Sequence, residues 1–265
     1  MLTIENAVKI FSKNTPNEHI ALNHLNLTLE KGDFVTIVGS NGAGKSTLFH
    51  AVSGGFWLDE GSICLDGKDI TFLQEHKRAQ TIGRLFQDPM KGTAPGLTIE
   101  ENLALSYSRS KRGLLLPALN KQDCSRFREL LSDFHMGLED RMNTKMGLLS
   151  GGQRQVVTLL MCTLVPPKLL LLDEHTAALD PATAEKVMEI TNQIIKKHQL
   201  TTMMITHNMT SALTTGNRII MMDSGNIILD ISGKEKEKMN VPELLDLYSA
   251  KSKKTFDQDR ALLSS

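Results

Sequence analysis

Eight consecutive residues, Gly39, Ser40, Asn41, Gly42, Ala43, Gly44, Lys45 and Ser46, follow the pattern GxxxxGK[ST], and Thr47 completes the stretch. The pattern predicts phosphate binding when a strand runs into it and a helix runs out. Glycines that lead into a helix leave backbone N–H groups converging at the positive end of the helix dipole. Both conditions hold: Phe34, Val35, Thr36, Ile37 and Val38 form an apolar, β-rich run before the loop, and residues 47–52 suit a helix after it. In that chemistry Lys45 reaches the β- and γ-phosphates of a nucleotide and Ser46 holds Mg2+. A second stretch ends the leucine run 169–172 with Asp173 and Glu174. Successive side chains at a strand end point in different directions, so one carboxylate can serve Mg2+ while its neighbour orients and deprotonates water. Asp173 is the expected metal ligand and Glu174 the expected base. In a third stretch, Leu149, Ser150, Gly151, Gly152 and Gln153 precede a helical run. With Ser150 as N-cap and two glycines leaving N–H groups open, it reads as a second anion site.

These residues need strands and helices to hold them. Residues 2–8 and 21–29 alternate as strands do, with Leu22, Leu25, Leu27 and Leu29 giving period two over most of the second run, and a polar, Pro-containing turn lies between them near 12–18. Lys31, Gly32 and Asp33 turn the chain into the strand that feeds the phosphate loop. Residues 59–70 predict a hairpin around Asp66 and Gly67, a dipeptide suited to a primed turn. Residues 82–86 predict a short strand ending at Gln87. A loop with Pro89, Gly92, Pro95 and Gly96 then leads to a helix whose N-cap is Thr98, with Glu101 three residues on as its capping-box partner.

Helical runs at 100–109, 121–136 and 153–164, with no convincing strand between about 98 and 165, predict a helical insert. The bounded apolar run 168–173 predicts a central parallel strand. An amphipathic helix over 182–198, a strand over 200–206, a short helix over 209–214 and strands over 218–222 and 226–231 resume the alternation. There is no internal repeat. Residues 251–265, with a basic cluster at 251–254, read as a polar, peripheral tail.

At 265 residues and 40% hydrophobic content the chain can bury a sizeable core. Its 30 basic and 30 acidic residues balance, which gives no global signal for nucleic acid or an anionic membrane surface. No apolar run reaches the eighteen or so residues of a membrane span, and no secretory signal opens the chain. Cys64, Cys124 and Cys162 are far apart and form no CxxC, which points to a reducing compartment and no metal site. The expectation is a soluble, cytosolic protein.

With these motifs in this order, LSGGQ at 149–153 above all, the chain resembles the ATP-binding subunits of ABC transporters from Leu2 to about Ile231. The resemblance implies an α/β phosphate-loop ATPase core with an N-terminal antiparallel β subdomain and an inserted helical subdomain. It implies a single ATP-binding domain over 1–250, with the insert at about 88–165 and the tail at 251–265. ATP and Mg2+ are the implied ligands and ATP hydrolysis the implied activity. Ser150, Gly151, Gly152 and Gln153 would close over the ATP held by a second copy. Gln87 is similar to the family's Q-loop glutamine, which contacts Mg2+ and the attacking water and links the core to the insert. His207 is similar to the switch histidine, which hydrogen-bonds the γ-phosphate. Asp180, after Ala178 and Leu179, resembles the D-loop that couples the two sites of the dimer. Phe11 stands where an aromatic residue, more often Tyr, stacks on adenine. His175 is a departure, because the family most often has Pro after the glutamate; it bears on the stiffness of the turn and not on the reacting groups.

The resemblance further implies a homodimer that works with separate membrane permease subunits at the cytoplasmic face of the cell membrane, without nucleic acid. Residues 174–181 and 206–209 look most like an importer subgroup linked to amino-acid uptake, a system that includes an extracellular solute-binding protein. The alternative from another class is a soluble ABC ATPase that moves no solute, such as an iron–sulfur assembly scaffold. A monomeric phosphate-loop kinase would leave LSGGQ without a role.

Overall fold

In the computed structural model, which describes residues 1–108 and 121–252, the chain divides into two compact units. One comprises Met1–Arg78 with the chain from Thr201 onward, the other Ala79–Leu200. The first unit opens with β1 (Leu2–Phe11), β2 (His19–Leu29), β3 (Phe34–Gly39), α1 (Lys45–Ser53), β4 (Glu60–Leu65), β5 (Lys68–Asp69) and the one-turn α2 (Glu75–Arg78). β1 pairs antiparallel with β2 and β4, giving a sheet in the order β2-β1-β4-β5. Leu25, Leu27 and Leu29 are buried while Asn26 and Thr28 are exposed, so the period-two reading of this strand holds. Asp66 and Gly67 both take positive φ, 51° and 72°, as a type I′ hairpin turn requires, and Leu65 faces Lys68 across it.

The second unit carries β6 (Ile82–Leu85), α3 (Ile99–Ser108), α4 (Lys121–Ser132), α5 (Gly151–Thr163), β7 (Leu169–Asp173) and α6 (Pro181–His198). The capping box of α3 forms as expected: the Thr98 amide donates to Glu101 Oε2 at 2.7 Å and the Glu101 amide to Thr98 Oγ1 at 3.2 Å. α4 stops at Ser132, short of the expected 136, because His135 and Gly137 take left-handed φ of 54° and 66° and cannot continue a right-handed helix. Among the described residues between 98 and 165 strand pairing is limited to the isolated bridge of Thr98 with Lys145, which agrees with a helical insert. β6 and β7 run parallel with Leu85 beside Leu172, and all four leucines of β7 are fully buried.

The chain then returns to the first unit with β8 (Thr201–Ile205), α7 (Met209–Thr214), β9 (Arg218–Asp223), β10 (Asn226–Ser232), α8 (Gly233–Lys238) and α9 (Val241–Lys251). Strands here follow the order β10-β9-β3-β8, with β3 parallel to β8 and β9, and β10 antiparallel to β9. β3 is buried along its whole length, and Val38 joins a core with Met209, Ile219, Met221, Leu244 and Tyr248. The last two of these come from α9, which the sequence reading did not find. Its signal was present: Asn240 and Glu243 form a capping box and Pro242 sits in the first turn. Residue 109, at the end of one expected helix, and residues 253–265 of the expected tail lie outside the described residues. No helix among the described residues is long and apolar enough to cross a membrane.

Candidate functional site

In the first unit β3 delivers the chain to the phosphate loop and α1 takes it away. Gly44 is the N-cap of α1, in a left-handed conformation with φ 100°, and no side chain caps the helix. The first turn contains no acidic residue. The opening N–H groups of a helix have no intrahelical partners, so this uncapped end presents donors and a positive dipole to whatever anion fills the loop. The loop is held from both sides: the Ala43 amide donates to Ser40 O at 3.1 Å and the Gly225 amide to Ala43 O at 3.0 Å. Lys45 is buried, and its Nζ folds back to donate to Gly39 O at 2.6 Å and Ser40 O at 3.1 Å. Asn41, Gly42 and Ser46 are exposed and Thr47 is half-buried.

His207 is exposed and lies just beyond β8. Because Ile37 of β3 pairs in parallel with Ile205, His207 leaves the sheet at the same edge as the phosphate loop, the carboxyl edge where ligands of open α/β sheets bind. Next to it Asn208 caps α7, accepting from the Ser211 amide at 2.8 Å. Phe11 ends β1 at 39% exposure, so its ring is open enough to stack on a base. It meets Phe56 edge-on with 5.5 Å between ring centres, and Lys9 Nζ lies 5.7 Å from its centroid.

In the second unit the parallel register brings Gln87, exposed two residues past β6, and the Asp173–Glu174 pair out at one end of β6 and β7. Asp173 Oδ2 accepts from Arg84 Nη2 at 3.3 Å, and the Arg84 guanidinium lies over the Phe86 ring, 4.6 Å from its centroid. One side chain thus ties the acid at the end of β7 to the residue before Gln87. The sequence reading missed Arg84, and its only signal was a cation inside an apolar strand run. Glu174 is half-buried and adopts φ 46°, a left-handed conformation unusual for a non-glycine residue. The Ala177 amide donates to Glu174 O at 3.0 Å and closes a turn there. His175 within that turn is buried, with Nε2 3.2 Å from Thr191 Oγ1 of α6, and burial lowers its pKa to about 4. The imidazole is therefore neutral at physiological pH. Asp180 caps α6, accepting from the Thr183 amide at 3.1 Å; the hydroxyl and amide of Thr183 hold its carboxyl below the usual carboxylate range.

The LSGGQ stretch builds the N-terminus of α5. Ser150 Oγ accepts from the Gln153 amide at 3.3 Å and Gln153 Oε1 accepts from the Ser150 amide at 3.3 Å. A Cβ on Gly152 would lie 2.1 Å from the Thr183 methyl, so glycine there is demanded by the packing of α5 on α6, whereas Gly151 is exposed. Arg154, another residue the sequence reading missed, donates to the carbonyls of Met146, Gly147 and Leu149 and braces the segment ahead of Ser150.

The phosphate loop fits a nucleotide on its own geometry. Ser40 Oγ is buried without a hydrogen-bond partner among the described residues, an orphan that a phosphate oxygen would satisfy. No group of three or more His, Cys, Asp or Glu among the described residues could hold a metal. A cation here would draw on one hydroxyl or carboxylate and on the oxygens of its ligand, as Mg2+ commonly does.

Residues 22–177 match the family model for the ABC transporter. The chain is 42% identical over 253 residues to a tyrosine transport ATP-binding protein of Clostridioides difficile (strain R20291), covering 94% of this chain and 98% of that protein. It is 36% identical over 212 residues to the methionine import ATP-binding protein MetN of Rhizobium johnstonii, covering 78% of this chain and 56% of that one. A solved dimeric, post-hydrolysis state of the ATP-binding cassette MJ0796 bound to ADP and Pi matches with a TM-score of 0.74 and 29% identity, over 88% of this chain and 98% of that chain. The chain belongs to the ABC transporter family: it is an ATP-binding, ATP-hydrolysing subunit with the phosphate-loop ABC ATPase fold.

Proposed function

We propose that two copies of this chain clamp two ATP molecules and use their hydrolysis to drive import through separate membrane permease subunits. The observation that carries the reading is the uncapped, acid-free N-terminus of α1 with Lys45 folded over the loop before it. Lys45 and the loop amides from Gly39 to Thr47 bind the phosphates, and Phe11 stacks on adenine. Ser46, Asp173 and Gln87 would hold Mg2+, which neutralises charge on the phosphates when bound. Glu174 accepts a proton from the water whose oxygen attacks the γ-phosphorus. The bond from that phosphorus to the bridging oxygen breaks, and ADP and phosphate leave. His207 donates to the γ-phosphate. Ser150, Gly151, Gly152 and Gln153 cover the ATP of the opposing copy, and Asp180 couples the two sites. The dimeric cassette among the solved relatives supports the clamp.

The names of the tyrosine and methionine relatives support amino acids as the imported class and favour transport over a soluble, non-transporting ATPase. The chain then forms a single ATP-binding domain at the cytoplasmic face of the membrane, served by an extracellular solute-binding protein and free of nucleic acid. Glu174→Gln tests the centre of this reading. The variant should bind ATP and Mg2+ as the parent does, hydrolyse at least a hundredfold more slowly, and sediment as a dimer when saturated with both. Hydrolysis at the parent rate removes Glu174 from the role of base, and a monomer under those conditions removes the clamp. Co-purification of the full chain with a polytopic membrane protein is expected; a soluble complex in its place would overturn the transport role.

A further inference from the structure

We infer that His175 is a positioning residue, which holds the backbone of Glu174 in its left-handed conformation by anchoring the following turn to Thr191 of α6. The inference rests on the reading of Glu174 as the base. Left-handed backbone is unfavourable for a residue with a Cβ and persists only where its surroundings fix it. Two contacts do so here. The Ala177 amide donates to Glu174 O at 3.0 Å, which makes residues 174–177 a β-turn with His175 at its second position. His175 is 3% exposed, and its Nε2 reaches Thr191 Oγ1 at 3.2 Å.

The direction of that hydrogen bond follows from the partners. Thr191 is fully buried and its hydroxyl proton is committed to Val187 O at 2.8 Å, so Oγ1 can only accept from the ring. His175 therefore carries its proton on Nε2, and the tautomer is set by a helix backbone carbonyl one step away. α6 is itself fixed at its start by the Asp180 cap. The second turn position is also where proline would be accommodated, because its ring presets the φ that the position needs. A histidine tied to a helix and a proline ring are two ways to stiffen the same place.

The test uses the full chain. His175→Leu keeps an apolar filling but loses the hydrogen bond, and Thr191→Val removes the hydroxyl at nearly constant shape. Each is expected to lower kcat for ATP hydrolysis about tenfold, with ATP affinity within about twofold of the parent, the scale of one lost hydrogen bond. The double variant should be no slower than either single one, since both remove one link. His175→Pro should keep the rate within about threefold, and Thr191→Val on that background should change nothing. A readout independent of turnover is hydrogen exchange at the Ala177 amide, expected to speed up in His175→Leu and to stay slow in His175→Pro. Ring nitrogen NMR of the parent should report the Nε2–H tautomer. A parent-like kcat in His175→Leu, single effects that multiply in the double variant, or unchanged Ala177 exchange would each overturn the inference. If His175→Leu does not fold, the exchange and rate comparisons between Thr191→Val and His175→Pro decide alone. An inactive Glu174→Gln beside a fully active His175→Leu leaves the base in place and removes only the anchor, whereas an active Glu174→Gln removes the base.

Discussion

Two strand exits hold the residues proposed to carry the chemistry of this chain, the loop from Gly39 to Lys45 after β3 and the turn from Asp173 to Asp180 after β7. Each holds backbone that an ordinary residue avoids. The first does so by residue type, with glycine where φ reaches 80° at 42 and 100° at 44. The second keeps the proposed base at the strained position, Glu174 at 46°, where the Ala177 amide donates to Glu174 O and His175 is bonded to Thr191 of α6. A loop that binds through backbone amides can give up side chains and gain conformational freedom. A turn that presents a base cannot, so tertiary contacts must fix its shape.

The largest effect expected from breaking this contrast is at Gly44. A Cβ there would lie 2.5 Å from Ala21 O on top of the unfavourable φ, so Gly44→Ala should cost about 3 kcal/mol or more in denaturant unfolding. Gly42→Ala meets no atom within 4 Å and should cost only about 1 kcal/mol. Equal costs at the two positions would mean that space, and not only φ, has been misread.

Next in size is Lys45→Ala, expected to weaken ATP binding about a hundredfold, or about 2.7 kcal/mol, by equilibrium titration. Lys236 makes the control, since it is as buried as Lys45 and its Nζ likewise donates to two backbone carbonyls, those of Thr215 and Gly216. Lys236→Met should leave ATP affinity unchanged. Burial lowers the pKa of Lys236 from 10.5 to about 8. Between those values the unfolded chain holds the proton more tightly, so the folded state should gain on the order of 2 kcal/mol as pH rises from 8 to 10.5. The gain should be absent below that window and absent from Lys236→Met at every pH. A variant that tracks the parent through the window would exclude Lys236 as its source.

The smallest effect belongs to Glu174→Gly. Relief of the left-handed strain and the added freedom of the unfolded chain act in opposite directions, so stability should move by less than about 1 kcal/mol while hydrolysis is lost. A loss of several kcal/mol would show that the carboxylate itself holds the turn together.

Much of the fold and of the site could be read locally. The phosphate loop between its apolar strand and its helix, the Asp66–Gly67 hairpin, the capping boxes at Thr98 and Ser150 and the buried leucines of β7 all express preferences of neighbouring residues for one backbone shape. Residue type and spacing determine such features because the interactions that set them span only a few positions. The pairing of Arg84 with Asp173, the bond between His175 and Thr191, and the contact of Gly152 with Thr183 join residues between sixteen and eighty-nine positions apart. Periodicity marks these residues only as buried or exposed. Which partner each one meets was decided when strands and helices packed, because hydrogen-bond and steric complementarity act through distances in space that the order of residues along the chain does not contain.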